Sequence, residues 1–171
     1  MSELAAYFTE AFAPPKRVCV LGVGSELCHD DEAGLYLVEL LSERLCLPVG
    51  EPGERVLLVS GGPAPENFSG MIRAFAPDLL VVVDAAFLEL PAGSIQLLPE
   101  ERAAGLSFST HMLPLPMLLS YLKLACGCQT CLVGIQPATT EQGLGMSERV
   151  REGTEMLAEL FAQALADNAN K

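Results

Sequence analysis

The run Leu79-Leu80-Val81-Val82-Val83, closed by Asp84, constrains the fold more than any other stretch of this chain. Consecutive aliphatic residues leave the segment no polar face to turn toward water. A strand of that kind is covered on both sides, as in a parallel sheet sandwiched between helices. The rest of the sequence supplies matching elements. Val18 to Leu21, Val56 to Val59, Ile95 to Leu98 and Cys131 to Ile135 read as further short strands. Between them the apolar period becomes helical. Leu35, Val38 and Leu45 share a face with Leu41 or Ser42, Phe68, Ile72 and Phe75 share another before Pro77, and residues 116–125 continue the pattern. A long final helix is expected from Met146 to Ala166, with Val150, Leu157, Leu160, Phe161 and Leu165 along it. Pro48 to Glu54 and Gly61-Gly62-Pro63 punctuate the series as connections.

Strands alternating with helices predict an α/β fold: a single-domain three-layer sandwich with a twisted, mostly parallel central sheet flanked by helices. A chain of 171 residues is long enough for one substantial core. The domain is expected over 16–166, after a loose or partly helical extension over 1–15 and before a short tail over 167–171.

Charge narrows the function. Ten basic residues stand against 22 acidic ones, a formal net charge of -12, and no stripe of Lys and Arg tracks a phosphate backbone. Nucleic-acid binding is therefore disfavoured. No signal-like N-terminal pattern and no segment of membrane-spanning length and apolarity is visible, so a cytoplasmic protein without membrane insertion is expected. The six cysteines are expected to be mostly thiols, since a domain of this size folds without bridges.

The candidate chemistry lies in the loops. GVGSELCHDD, residues 22–31, begins like a dinucleotide-binding turn, with Gly22 and Gly24 after a strand. The third glycine of that fingerprint is replaced by Leu27, and Asp30 and Asp31 occupy the start of the helix, where carboxylates repel phosphate. Helix phase instead puts Asp31 on the buried stripe with Leu35 and Val38, at the end facing the sheet. Asp30 points elsewhere and suits a helix cap, and both acids would also serve a helix dipole without further function. Asp84 sits where a parallel strand leaves the sheet, the edge at which open α/β folds build their sites; an acid there also caps turns.

His111, in FSTHMLPLP, precedes a predicted helix. If its loop returns to the same edge, two carboxylates and an imidazole surround one divalent ion, a donor set better suited to zinc or nickel than to magnesium. Two carboxylates also suffice to activate water. Serine and cysteine nucleophiles are weaker readings, because Ser25 lacks the G-x-S-x-G elbow and nothing orients a base toward Cys28. CGCQTC, residues 126–131, offers metal capture, a redox pair or merely packed thiols, and lacks an evident fourth zinc ligand.

Five ordered segments carry a resemblance: VLGVGSELCHDDEAG, SGGPAPENF, LLVVVDAAFLELPAGSIQLLP, STHMLPL and LVGIQP. From about Val18 to Glu159 the chain resembles the nickel-iron hydrogenase maturation endopeptidases, especially the group that processes the large subunit of hydrogenase 3 in the formate hydrogenlyase system. The resemblance implies cleavage near the C-terminus of a nickel-loaded large-subunit precursor, releasing a short extension. It places the nickel-binding roles on Asp31, Asp84 and His111, and makes Asp31 and Asp84 the catalytic candidates. The nickel would be carried by the substrate, the immature large subunit, although another divalent metal is able to occupy such a site in isolation. A monomer is expected. Gly61, Gly62, Pro63, Glu66 and Asn67 either shape the substrate cleft or only support the turn. Departures from the family pattern are Ser25 for an asparagine, Glu32 for a glycine and Met112 for an asparagine, and CGCQTC lies outside it. The alternatives are a nonenzymatic nickel-dependent binding or chaperone module for the same precursor, and a related peptidase for another nickel protein.

Overall fold

The computed structural model describes residues 2–13, 16–98 and 115–167. Helix α1 (Ser2–Ala11) leads into β1 (Val18–Val23), α2 (Ala33–Leu45), β2 (Val56–Gly62), α3 (Ser69–Phe75), β3 (Leu79–Ala85), β4 (Ile95–Leu98), α4 (Leu115–Cys126), β5 (Gln129–Ile135) and α5 (Glu148–Asp167). The strands form one sheet in the order β2-β1-β3-β5-β4. The β1, β2, β3 and β5 pairings are parallel, and among the described strands β4 alone runs antiparallel, against β5. The register aligns Val18 with Val56 and with Leu79, and Leu79 with Gln129.

Both sheet faces are covered, which is why β3 has no polar alternation. Its Leu79, Val81 and Val83 enter a core with α1, α2 and α5, while Leu80 and Val82 enter a second core with α3 and α4. The three-layer sandwich expected from the sequence is therefore the observed architecture. No helix among the described residues is long and apolar enough to cross a membrane.

The segment read as an extension contributes to the core. Phe8 and Phe12 of the first dozen residues are fully buried and meet Phe161 of α5 at ring-centroid distances of 4.5 Å and 5.2 Å. Leu4, Phe8 and Phe12 stand four residues apart, so one helical stripe carries all of them onto α5. Burial of two phenylalanines gives α1 a driving force of about 2–3 kcal/mol per ring, enough to fix a short helix that would be marginal alone.

Candidate active site at the C-terminal edge of the sheet

In this strand order the connection from β1 runs outward to β2, and the connection from β2 returns across β1 to β3. The crevice between the C-terminal ends of β1 and β3 is thus the topological switch point, where loops diverge and ligands bind in open α/β sheets. Asp31 and Asp84 flank it. Asp84 stands one residue before the end of β3, opposite Gly134 of β5, and is fully buried. Its Oδ1 accepts the Ala85 N–H at 2.8 Å. Asp31 follows β1 and is only 4% exposed. His111 lies outside the described residues.

Helix phase put Asp31 on the sheet-facing side, and it is buried there, but α2 begins two residues later than that argument assumed. Asp31 belongs to a 3-10 turn, His29–Glu32, that packs against β3. The glycines explain the turn. A Cβ on Gly24, whose φ is +140°, would stand 1.8 Å from the Asp31 carbonyl oxygen. A Cβ on Gly22 would stand 2.1 Å from the Gly34 carbonyl oxygen, and one on Gly34 would stand 2.4 Å from the carbonyl oxygens of Val23 and Val83. Backbone touches backbone at three places, and side chains would push the acidic turn off the strand ends. The Gly24 N–H is itself committed to the Gly62 carbonyl at 3.2 Å. Gly22 and Gly24 therefore serve to seat Asp31, and their space and hydrogen bonds are not offered to a pyrophosphate.

Asp30 has a role that the sequence did not disclose. Fully buried, it accepts hydrogen bonds from the N–H groups of Ala138 at 2.8 Å and Thr139 at 3.1 Å. It also accepts the Ser147 N–H at 2.6 Å and the Ser147 hydroxyl at 2.7–2.8 Å. Burial pushes the carboxyl upward in pKa, but the hydrogen bonds from Ser147, Thr139 and Ala138 outweigh it and hold Asp30 below its ordinary range. The cap anticipated on the neighbouring helix is made instead to the segment entering α5, more than a hundred residues away. His29 strengthens the same junction: its Nδ1 pairs with the Gly145 carbonyl at 2.9 Å, and its ring lies where a Cβ of Gly143 would be. Gln136 does similar work for the loop after Asp84, accepting the N–H of Leu88 at 2.6 Å on Oε1 and donating from Nε2 to the Pro137 carbonyl at 2.9 Å. The signals for these contacts were an acid suited to a helix cap and the LVGIQP segment, and neither names its distant partner.

The other sequence candidates separate. Cys131 enters the α1/α5 core, whereas Cys19 and Cys128 enter the α3/α4 core, with Cys126 packed against the latter. Cys131 is thus parted by the sheet from Cys126 and Cys128, which neighbour each other, and no group of three or more His, Cys, Asp or Glu side chains able to hold a metal occurs among the described residues. Burial raises the Cys128 thiol to about 11 and the Cys131 thiol to about 12. Both stay protonated near neutral pH and behave as small hydrophobes. At the rim of the edge, Glu26, Glu32 and Glu39 line an acidic cleft of about 270 Å³, and Leu27 and Leu144 are exposed beside it.

Fold and edge together define the class: a doubly wound α/β domain with a buried carboxylate pair at its switch point, in place of a nucleotide-binding loop. Comparison with known proteins carries this further. A family model described as hydrogenase maturation protease matches residues 35–164, starting just after the acidic turn. The hydrogenase 3 maturation protease of Escherichia coli is 31% identical over 137 residues, covering 80% of this chain and 83% of the relative. The crystal structure of the nickel-iron hydrogenase maturation protease HycI from Thermococcus kodakarensis superposes with a TM-score of 0.81 at 33% identity, covering 94% of this chain and 99% of that one. HybD, a hydrogenase maturating endopeptidase of E. coli, superposes with a TM-score of 0.64 at 27% identity, covering 90% and 93%. The chain belongs to the hydrogenase maturation protease family.

Proposed function

We infer that this protein is the endopeptidase that removes a C-terminal extension from a nickel-loaded nickel-iron hydrogenase large-subunit precursor. The observation that carries the reading is the buried pair Asp31 and Asp84 on either side of the switch point. A maturation protease needs a polar centre at an edge open to a peptide, and this is the edge where the fold gathers its acids.

In this reading Asp31 and Asp84, together with His111, take the nickel that the immature large subunit already carries. Oxygen and imidazole donors suit that ion. One carboxylate then orients or deprotonates the attacking water, and backbone N–H groups at the strand ends stabilise charge growing on the scissile carbonyl oxygen. That is an aspartic type of hydrolysis in which substrate-borne metal grants recognition. The protease works as a monomer in the cytoplasm, before the large subunit is closed. The test is whether a nickel-loaded precursor is shortened while its metal-free counterpart keeps its mass.

A further inference from the structure

A carboxylate oxygen is an acceptor only, and one shielded from water needs a donor. Oε2 of Glu66 is buried and accepts no hydrogen bond among the described residues, although the residue as a whole is half-buried. Glu66 stands on the 3-10 turn Pro65–Phe68 that follows β2. This turn leaves the same sheet edge as Asp31 and Asp84, one strand outward from β1.

The turn is held close to the site. A Cβ on Gly61 would lie 2.8 Å from Leu21 Cδ1, 3.0 Å from the Gly22 carbonyl oxygen and 3.1 Å from Pro65 Cβ. The start of the turn therefore folds back on Gly61 of β2, which itself lies against Leu21 and Gly22 of β1. Gly62, at a left-handed φ of 58°, faces open space, and Pro63 and Asn67 on either side of Glu66 are exposed. The turn that carries Glu66 thus borders the edge across which a peptide substrate would lie.

We propose that Glu66 is a specificity-determining residue that accepts a hydrogen bond from an N–H donor of the precursor peptide, a role that rests on the function inferred above. A flip about χ3 only exchanges two equivalent oxygens, so a change of rotamer at χ1 or χ2 is what turns the shielded position toward a donor on the open side. A shielded carboxylate oxygen without a donor costs the free protein stability, and an uncharged side chain of the same shape would lessen that cost. Its presence is accounted for by the bound state, where the peptide supplies the donor.

Glu66→Gln keeps the shape and replaces one acceptor by a donor. On nickel-loaded precursor its kcat/KM falls about 10- to 100-fold, mainly through KM. Its Tm stays level or rises. Glu66→Asp, which keeps the charge but withdraws it by one methylene, gives an intermediate loss. A lower Tm with unchanged KM would mean that Glu66 only supports the turn, and equal kinetics would mean that it touches no substrate; either overturns the proposal. Binding of precursor to wild type and to Glu66→Gln is measured alongside cleavage. Binding without cleavage by the wild type, weakened in Glu66→Gln, overturns the endopeptidase reading and upholds the role of Glu66. Wild-type cleavage matched in rate and affinity by Glu66→Gln does the reverse, and a wild type that neither binds nor cleaves overturns both.

Discussion

Replacing Asp30 by asparagine takes the charge from a carboxylate that holds the loop before α5 to the turn after β1. Its oxygens receive the N–H groups of Ala138, Thr139 and Ser147 and the Ser147 hydroxyl. Whichever way the amide is turned, its NH₂ faces at least one of these donors, which then has no acceptor in a buried place. Loss of one hydrogen bond to a charged group, with weakening of the rest, costs about 2–4 kcal/mol. For a domain of this size that lowers Tm by about 5–15 °C. The effect has a pH signature. The folded pKa of Asp30 lies below its ordinary range, so the unfolded chain takes up the proton first as pH falls. The stabilisation is therefore complete above the unfolded carboxyl value of about 3.9 and disappears as pH drops through the folded pKa. Thermal melts followed by circular dichroism from pH 7 down to pH 3 give the answer. The gap between wild type and Asp30→Asn stays constant down to about pH 5 and narrows below about pH 4. A gap of under 2 °C at pH 7, or one that persists unchanged at the acid end, would refute the clamp.

Two further substitutions address the acidic edge itself. Gly24→Ala places a Cβ 1.8 Å from the Asp31 carbonyl oxygen at a φ of +140°, so both Tm and cleavage rate fall together, whereas a folded, fully active variant would show that the glycine does not seat Asp31. Asp31→Asn and Asp84→Asn each lower cleavage of nickel-loaded precursor by about 100-fold or more while the far-UV spectrum is kept; turnover within a few-fold of wild type would remove that residue from the active site.

The sequence disclosed most where local pattern and tertiary role coincide. Leu79 to Val83 announced a strand covered on both faces, and its closing Asp84 fell at the edge where the sheet order reverses. Asp31 was placed on the correct side by helix phase, yet the element was misjudged, because a 3-10 turn and the first turn of an α-helix present a buried acid in nearly the same direction. What escaped were relations between distant segments. Asp30 looked like a cap for its own helix, and only the fold brings Ser147 within 2.6–2.8 Å of it. Gln136 carried no sign that it would hold the loop after Asp84. The first dozen residues read as an extension because their apolar stripe is short, although Leu4, Phe8 and Phe12 already described a face waiting for a partner. In each case the missing information was the identity of the partner, which periodicity does not encode.

The opening of the GVGSELCHDD loop misleads because its glycines serve close packing of backbone on backbone. Glycines after a buried strand are required wherever a helix must start hard against the strand end, and phosphate binding is only one use of that geometry. Here the approach is used to bring a carboxylate to the switch point.

The central claim, cleavage conditional on substrate-borne nickel, is tested most directly by intact-mass measurement over time on two precursors incubated with the purified protein. One is a C-terminally extended hydrogenase large subunit loaded with nickel, and the other is the same chain without metal. The account predicts loss of one defined C-terminal peptide from the loaded precursor alone. Equal shortening of both would contradict nickel-dependent recognition, and full mass retained by both, with binding and folding verified, would contradict the endopeptidase itself and leave a nickel-dependent binding module.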